Sequence, residues 1–240
     1  MDPAAHPAGA EPYRGHTLLA LIVGGGSGSR YSSALPGGPA LPKQFLPLQG
    51  LPVLVHTLRV FLDFDATLQV VLALPEAYLG YWATLAARHL TPPLAARVHA
   101  VAGGATRTDS VRLGLEASAR LAGQHALPAL VAVHDAVRPF ATPRMIGAAY
   151  GAAARQGSGV ACVPSKSSLR RRLPGPEPSA GFASVAVPRE DYFAVQTPQA
   201  FALDKLLACY RHPPPGSYTD DASLFEACGH PVHLTEGSYD

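Results

Sequence analysis

The feature that most constrains this chain is an alternation. Short aliphatic runs recur along it, at 18–23, 68–74, 98–102, 130–134 and 160–163, and longer amphipathic or alanine-rich stretches separate them. Those stretches, at 53–62, 78–89, 108–121 and 143–156, are expected to be helices. Short apolar runs of this kind fit strands covered on both faces, as in βαβ units on a parallel sheet. With right-handed crossovers, the expected fold is α/β: a three-layer α/β/α sandwich around a mostly parallel, Rossmann-like sheet. Two further short helices are expected at 203–210 and 220–227, the second opened by Thr219 as its N-cap with carboxylates in the first turn.

Two segments break the alternation. Residues 1–15 are rich in Ala, Pro and Gly without a hydrophobic period and are expected to be a disordered tail, leaving one domain over 16–240. The segment from 165 to 188 is crowded with Ser, Pro and Gly and carries Arg170, Arg171 and Arg172. It is an excursion from the sheet, either a loop or an extended arm reaching a second subunit. Hydrophobic residues make up 48% of the chain and charged ones 15%, below the roughly 25% of an average soluble domain, so a sizeable core is available. A net charge of +2 provides no global field for nucleic acid or a membrane surface. The first apolar run falls far short of the roughly 20 residues of a membrane helix. Cys162, Cys209 and Cys228 are odd in number and lack C-x-x-C spacing, which argues against a disulfide framework or a zinc site and fits buried thiols in a reducing cytoplasm.

Four clusters carry chemistry. The first strand feeds into Gly24-Gly25-Gly26-Ser27-Gly28-Ser29-Arg30, where glycines allow backbone N–H groups to close around an anion. No frame gives G-x-G-x-x-G or a Walker loop. Arg30 and then Lys43 place two cations where the phosphates would lie, suited to charge gathering at the α-phosphorus of a nucleoside triphosphate. Gly103 to Val111 follows a strand and starts a helix, with Thr108 or Asp109 as the expected cap. His134-Asp135-Ala136-Val137-Arg138-Pro139 ends a strand at the carboxyl edge where open α/β sheets place ligands. Asp135 is a candidate ligand for Mg²⁺ and Arg138 for a second anion, a salt bridge between them being the alternative. His134 fits packing better than catalysis.

Together with Gln196-Thr197-Pro198-Gln199 and Thr219-Asp220-Asp221-Ala222-Ser223, these clusters resemble the ordered motifs of the methylerythritol-phosphate cytidylyltransferase family of the non-mevalonate isoprenoid pathway, from about residue 16 to 240. The resemblance implies a nucleotidyltransferase-type fold whose protruding arm makes a homodimer, and an enzyme moving CMP from CTP onto a sugar-alcohol phosphate with Mg²⁺ or another divalent cation. It implies that Gly24, Gly25, Gly26 and Gly28 face the nucleotide, that Arg30 and Lys43 stabilise the reacting phosphate, and that Gly104 and Ser110 help select cytosine. Asp135 would hold the metal, while Arg138, Ser168, Arg189, Thr197 and Thr219 would form the acceptor pocket, with Ser168 and Arg189 donated by the partner's arm. Rivals are a ribitol-5-phosphate or other sugar-phosphate cytidylyltransferase, and a non-catalytic nucleotide-binding module. The joint presence of Arg30, Lys43 and Asp135 argues against the module.

The chain also departs from the family pattern. Gly24-Gly25-Gly26 stands for Ala-Ala-Gly, Ser167-Ser168 for Asp-Thr and Ala105 for an acidic residue, and extra residues at 35–40 lengthen a lid between Arg30 and Lys43. The family continues past the position of Asp240 with Asn-Ile-Lys and a last helix, so the resemblance implies a further phosphate-binding lysine beyond the residues given.

Overall fold

A computed structural model describes residues 11–24, 41–175 and 181–239. Strand β1 (Thr17–Val23) is followed by a small hairpin, β2 (Pro47–Leu48) and β3 (Leu51–Pro52), and by helix α1 (Val53–Phe64). Next come β4 (Gln69–Leu74), α2 (Leu79–His89), α3 (Pro92–Ala95), β5 (Val98–Ala102), α4 (Arg107–Ala122), β6 (Ala129–Asp135) and α5 (Pro143–Gln156). The chain continues through β7 (Ser158–Pro164), a second hairpin of β8 (Leu169–Arg172) and β9 (Ser184–Val187), β10 (Phe193–Ala202), α6 (Leu203–Arg211), α7 (Asp221–Ala227) and β11 (Leu234–Glu236).

The central sheet has seven strands in the order β11-β7-β10-β6-β1-β4-β5. The β11–β7, β6–β1, β1–β4 and β4–β5 pairs are parallel, and β10 alone runs against its neighbours. Alternation along each strand feeds two cores. Leu18, Ala20 and Ile22 of β1 pack with α1 and α5 on one face, through Leu54, Leu58, Phe61, Ile146 and Tyr150. Leu19, Leu21 and Val23 pack on the other face with Val111 and Leu115 of α4 and Leu206 of α6. Each such aliphatic side chain contributes roughly 1.5–3 kcal/mol on burial, and that double covering makes the three-layer sandwich.

Local chemistry sets the helix ends. Thr142 accepts a hydrogen bond from the Met145 N–H at 3.2 Å, Pro143 opens α5, and Gly157 closes it at φ +88°, its N–H donating to Ala153 O at 2.8 Å. Two expected caps are each displaced. Thr106, not Thr108 or Asp109, caps α4 by accepting from the Asp109 N–H. Asp220, not Thr219, caps α7 in a reciprocal capping box with Ser223.

The start of the domain also differs from expectation. Within the stretch expected to be tail, Tyr13 is buried, its ring centroid 5.7 Å from that of Phe64 and 6.2 Å from that of Tyr150. An aromatic ring among Ala and Pro supplied enough apolar area to dock on α1 and α5. Residues 1–10 lie outside the described residues. The 165–188 excursion contains the β8–β9 hairpin, with Leu169 opposite Val187 and Arg172 opposite Ser184. All three cysteines are free. Among the described residues, no helix is long and apolar enough to cross a membrane.

Candidate active site

Strands β5, β4, β1 and β6 run parallel, so their carboxyl ends share one edge of the sheet. The chain moves from β1 outward to β4 and β5, then crosses back to place β6 on the other side of β1. Ligands of open α/β sheets bind in the crevice at such a reversal. Val23 stands in register with Asp135, and the Ala136 N–H donates to Val23 O at 3.0 Å, so Gly24 and Asp135 occupy neighbouring strand ends.

At the end of β1, the Gly24 N–H donates to Ala73 O at 2.8 Å, and Gly24 O accepts from Gln44 Nε2 at 2.8 Å. The first bond corrects one part of the expectation for Gly24: its N–H is spent on β4 and is not free for an anion. A β-carbon at Gly24 would come within 2.7 Å of Leu74 Cδ2. The second bond fastens the turn Lys43–Phe45 to β1, because Gln44 is buried while Lys43 beside it is exposed. Gly25, Gly26, Gly28 and Arg30 lie outside the described residues.

At the end of β5, the fully buried Ser110 hydroxyl donates to Thr106 O at 2.9 Å and accepts the Gly104 N–H at 3.1 Å. A β-carbon on Gly104 would stand 2.2 Å from that of Asp109. Ser110 and Gly104 therefore hold each other, setting the loop above β5.

The end of β6 is an ion-pair network. Asp135 Oδ2 accepts from Arg138 Nε at 2.8 Å, and Asp135 Oδ1 lies 3.5 Å from the Arg107 guanidinium. The salt bridge named as the alternative for Asp135 and Arg138 is thus present, at the carboxyl edge of the sheet. Arg107 in turn grips the fully buried Asp221 with two hydrogen bonds, at 2.9 and 3.3 Å, and Tyr210 donates its hydroxyl to the same carboxylate. Burial pulls Arg107 toward the neutral form, but the Asp221 charge, its hydrogen bond and Asp135 outweigh this and hold its pKa above the ordinary value. Burial, the Asp221 charge and the hydrogen bond push Tyr210 up as well, so it stays a donor.

Arg107, Asp221 and Tyr210 were missed as site residues. One signal was available: Arg107 is the first residue of α4, where the helix dipole disfavours a cation. A positive charge there needs carboxylate partners, and the fold supplies two.

His134 behind this network is fully buried, and burial brings its pKa down to about 4, which leaves it neutral at neutral pH. Its Nε2 donates to Arg138 O at 2.9 Å, and its ring lies 5.0 Å from that of Phe61. Its role is to shape the loop that presents Arg138.

Asp135, Arg138, Thr197 and Thr219, with Arg107 and Gln196, line one cavity of about 300 Å³. Thr197 comes from β10, where its hydroxyl accepts from the Asp135 N–H at 3.4 Å. Gln199 ties β10 to α7, donating to Asp220 at 3.0 Å and accepting from the Ala222 N–H at 3.0 Å. Gln196 clamps Ser238 through both of its backbone groups and so anchors the segment after β11 beside the cavity. Ser168 and Arg189 are exposed on and beside the β8–β9 hairpin and do not line this cavity, and Arg189 donates to Lys166 O at 3.1 Å.

Among the described residues, no group of three or more His, Cys, Asp or Glu side chains is arranged to hold a metal ion. Asp135 is the carboxylate at this edge that could hold a divalent cation whose other ligands come from a bound phosphate and water. Asp135 keeps unused acceptor capacity beside its two arginines.

The family model described as IspD, 2-C-methyl-D-erythritol 4-phosphate cytidylyltransferase, matches residues 18–240. The chain belongs to this family. This cytidylyltransferase family is one of nucleotidyltransferases in the non-mevalonate isoprenoid pathway. A 2-C-methyl-D-erythritol 4-phosphate cytidylyltransferase of Bacteroides thetaiotaomicron is 40% identical over 219 residues, covering 91% of this chain and 89% of the relative. The crystal structure of the enzyme of that name from Thermus thermophilus matches with a TM-score of 0.65 at 31% identity, covering 92% of this chain and 89% of the other. A 4-diphosphocytidyl-2C-methyl-D-erythritol synthase structure from Anaerococcus prevotii shares the fold, with a TM-score of 0.75 at 22% identity and coverage of 95% and 90%.

Proposed function

We propose that this cytidylyltransferase moves CMP from CTP onto 2-C-methyl-D-erythritol 4-phosphate, giving 4-diphosphocytidyl-2-C-methyl-D-erythritol and pyrophosphate. The observation that carries this assignment to the site is the single cavity collecting Asp135, Arg138, Thr197 and Thr219 at the carboxyl edge beside Gly24.

A phosphate oxygen of the acceptor attacks the α-phosphorus of CTP. The bond to the bridging oxygen breaks in line, and pyrophosphate leaves with that electron pair. The acceptor is already an anion at neutral pH, so the protein needs no general base, and its work is positioning and charge stabilisation. Arg30 and Lys43 stabilise charge on the five-coordinate phosphorus. Gln44, locked onto Gly24 O, supports this by holding the Lys43 turn against β1. Gly25, Gly26 and Gly28 cradle the phosphates, while the Gly104 loop, set by Ser110, faces the base. When bound, Mg²⁺ or another divalent cation on Asp135 supplies positive charge to the phosphate oxygens. Arg107 aims the Asp135 carboxylate, and Arg138, Thr197 and Thr219 receive the acceptor.

Ser168 and Arg189 complete the acceptor pocket of a partner subunit in a homodimer built through the arm. That neither lines its own chain's cavity supports this, as do the exposed apolar side chains Phe182, Val185, Tyr192 and Phe193 along and beside the hairpin. Free, largely buried thiols fit a cytoplasmic location.

The test is pyrophosphate release on mixing the protein with CTP, Mg²⁺ and a panel of alcohol phosphates. Release should require 2-C-methyl-D-erythritol 4-phosphate. Equal or greater release with ribitol 5-phosphate would reassign the acceptor, and none with any acceptor would support a binding module instead.

A further inference from the structure

We infer that the opposite, amino-terminal edge of the sheet carries a second ligand site: a cleft that takes a small amphipathic anion, one phosphate or carboxylate head on an apolar body. The cleft encloses about 920 Å³, against about 300 Å³ for the Asp135 cavity. It lies where α4 and α5 end, β6 begins and β10 passes into α6. Ligand pockets of this size are lined mainly by apolar groups with a few polar ones that fix orientation.

The floor is apolar, formed by the buried side chains of Leu130, Ala153, Leu203 and Leu207. The rim is cationic. Arg155, Lys205 and Arg211 line it, and none of the three has an ion-pair partner among the described residues. Asp204 is the one carboxylate among the described residues of the lining, so these residues leave the cationic rim largely without an anionic complement. The Lys205 ammonium lies 3.8 Å from where a β-carbon of Gly157 would stand, over the turn that closes α5. Helix α6 begins in the cleft at Leu203 without a side-chain cap, which leaves first-turn N–H groups for an anion. His16 also stands in the lining.

These features select one class of occupant. An inorganic anion would leave the apolar floor wet, and a neutral apolar molecule would leave the cations unanswered. A polyanion such as nucleic acid has no use for a floor of leucine and alanine. The site is distinct from the nucleotide crevice: α4 carries Arg107 at one end and Ala119 and Ala122 in the cleft at the other, and its 16 residues span about 24 Å.

The test is an amide NMR titration of ¹⁵N-labelled protein with n-octyl phosphate at saturating CTP, with inorganic phosphate and octanol as separate arms. Saturable shifts at Gly157, Leu203 and Lys205 are expected, with octyl phosphate binding at least about tenfold tighter than either fragment. Lys205→Glu and Ala208→Glu each should weaken it by about tenfold or more, the scale of one charge-assisted hydrogen bond. Arg171→Glu on the hairpin should leave it unchanged. The rest of each variant's spectrum reports its fold, and Lys205→Gln, expected to weaken binding less than Lys205→Glu, serves if the charge reversal unfolds the protein. Shifts confined to Arg138 and Thr197, equal affinity in the lysine variants, or co-sedimentation with phosphatidylglycerol vesicles without saturable octyl phosphate binding would each overturn the inference.

Discussion

The wall of the site on the sheet edge and the base of the hairpin are built in opposite ways. On the wall, every charged group has a fixed neighbour: Arg138 on Asp135, Arg107 on both Asp135 and Asp221, and Tyr210 on Asp221. At the hairpin base, Arg189 is exposed, and among the described residues its side chain hydrogen-bonds to a backbone carbonyl, Lys166 O, rather than to a charged partner. A preorganised wall can stabilise charge as it develops, because its dipoles do not move during the reaction. A side chain on an exposed hairpin suits binding that is completed by another subunit. Disturbing the wall should therefore cost stability and turnover, and disturbing the hairpin base should cost acceptor affinity.

The largest effect should follow Arg107→Ala. It leaves Asp221 fully buried without its cation, and breaking a buried pair costs about 3–5 kcal/mol. Calorimetry should show a melting point lower by about 10 °C. Arg107→Lys keeps the charge but loses the two-pronged grip, so it should fall between the parent and the alanine variant.

Next, Lys43→Ala should lower turnover by on the order of 10²–10³-fold, the scale for one preorganised donor to transition-state charge. Melting should be nearly unchanged, because Lys43 is exposed. Parental turnover with CTP would remove Lys43 from the reaction.

The wall should also carry a pH signature through His134. Its folded pKa, about 4, lies below the unfolded value of about 6.5. Its contribution is therefore complete above about pH 6.5 and is lost as pH falls toward 4, on the order of 3 kcal/mol in all. Denaturant titrations of the parent and His134→Gln across that window should diverge at high pH and converge at low pH.

The smallest effect belongs to the hairpin. Arg189→Ala should raise half-saturation by the acceptor about tenfold, the loss of one charge-assisted contact. Turnover at saturation and melting should hold. Equal losses of stability in Arg189→Ala and Arg107→Ala would erase the contrast between the two regions.

What could be read from the chain follows the range of the interactions involved. Aliphatic runs reported β1, β4, β6 and β7, since each of these strands is buried along most of its length and its burial is written locally; β5, at the sheet edge and half-buried at best, was legible from its short Val-Ala run alone. Strand β10 was hidden because Gln196, Pro198 and Gln199 interrupt it where the pairing with β7 shifts register. The caps slipped by one to three residues because Thr106-Arg107-Thr108-Asp109 and Thr219-Asp220-Asp221 each offer several competent side chains. Asp135 and Arg138 were legible, being three residues apart at a strand end. The grip of Arg107 on Asp221 spans 114 residues, and no local pattern announces it. Gly24 looked like a phosphate donor until β4 was seen to take its N–H.

A crystal structure with CTP and Mg²⁺ would test most directly whether one triphosphate lies at the shared edge of β1 and β6. The expected result is Arg30 and Lys43 on the same α-phosphate, with the metal bridging the phosphates to Asp135. Finding these three side chains on separate cavities, or the nucleotide away from that edge, would contradict it.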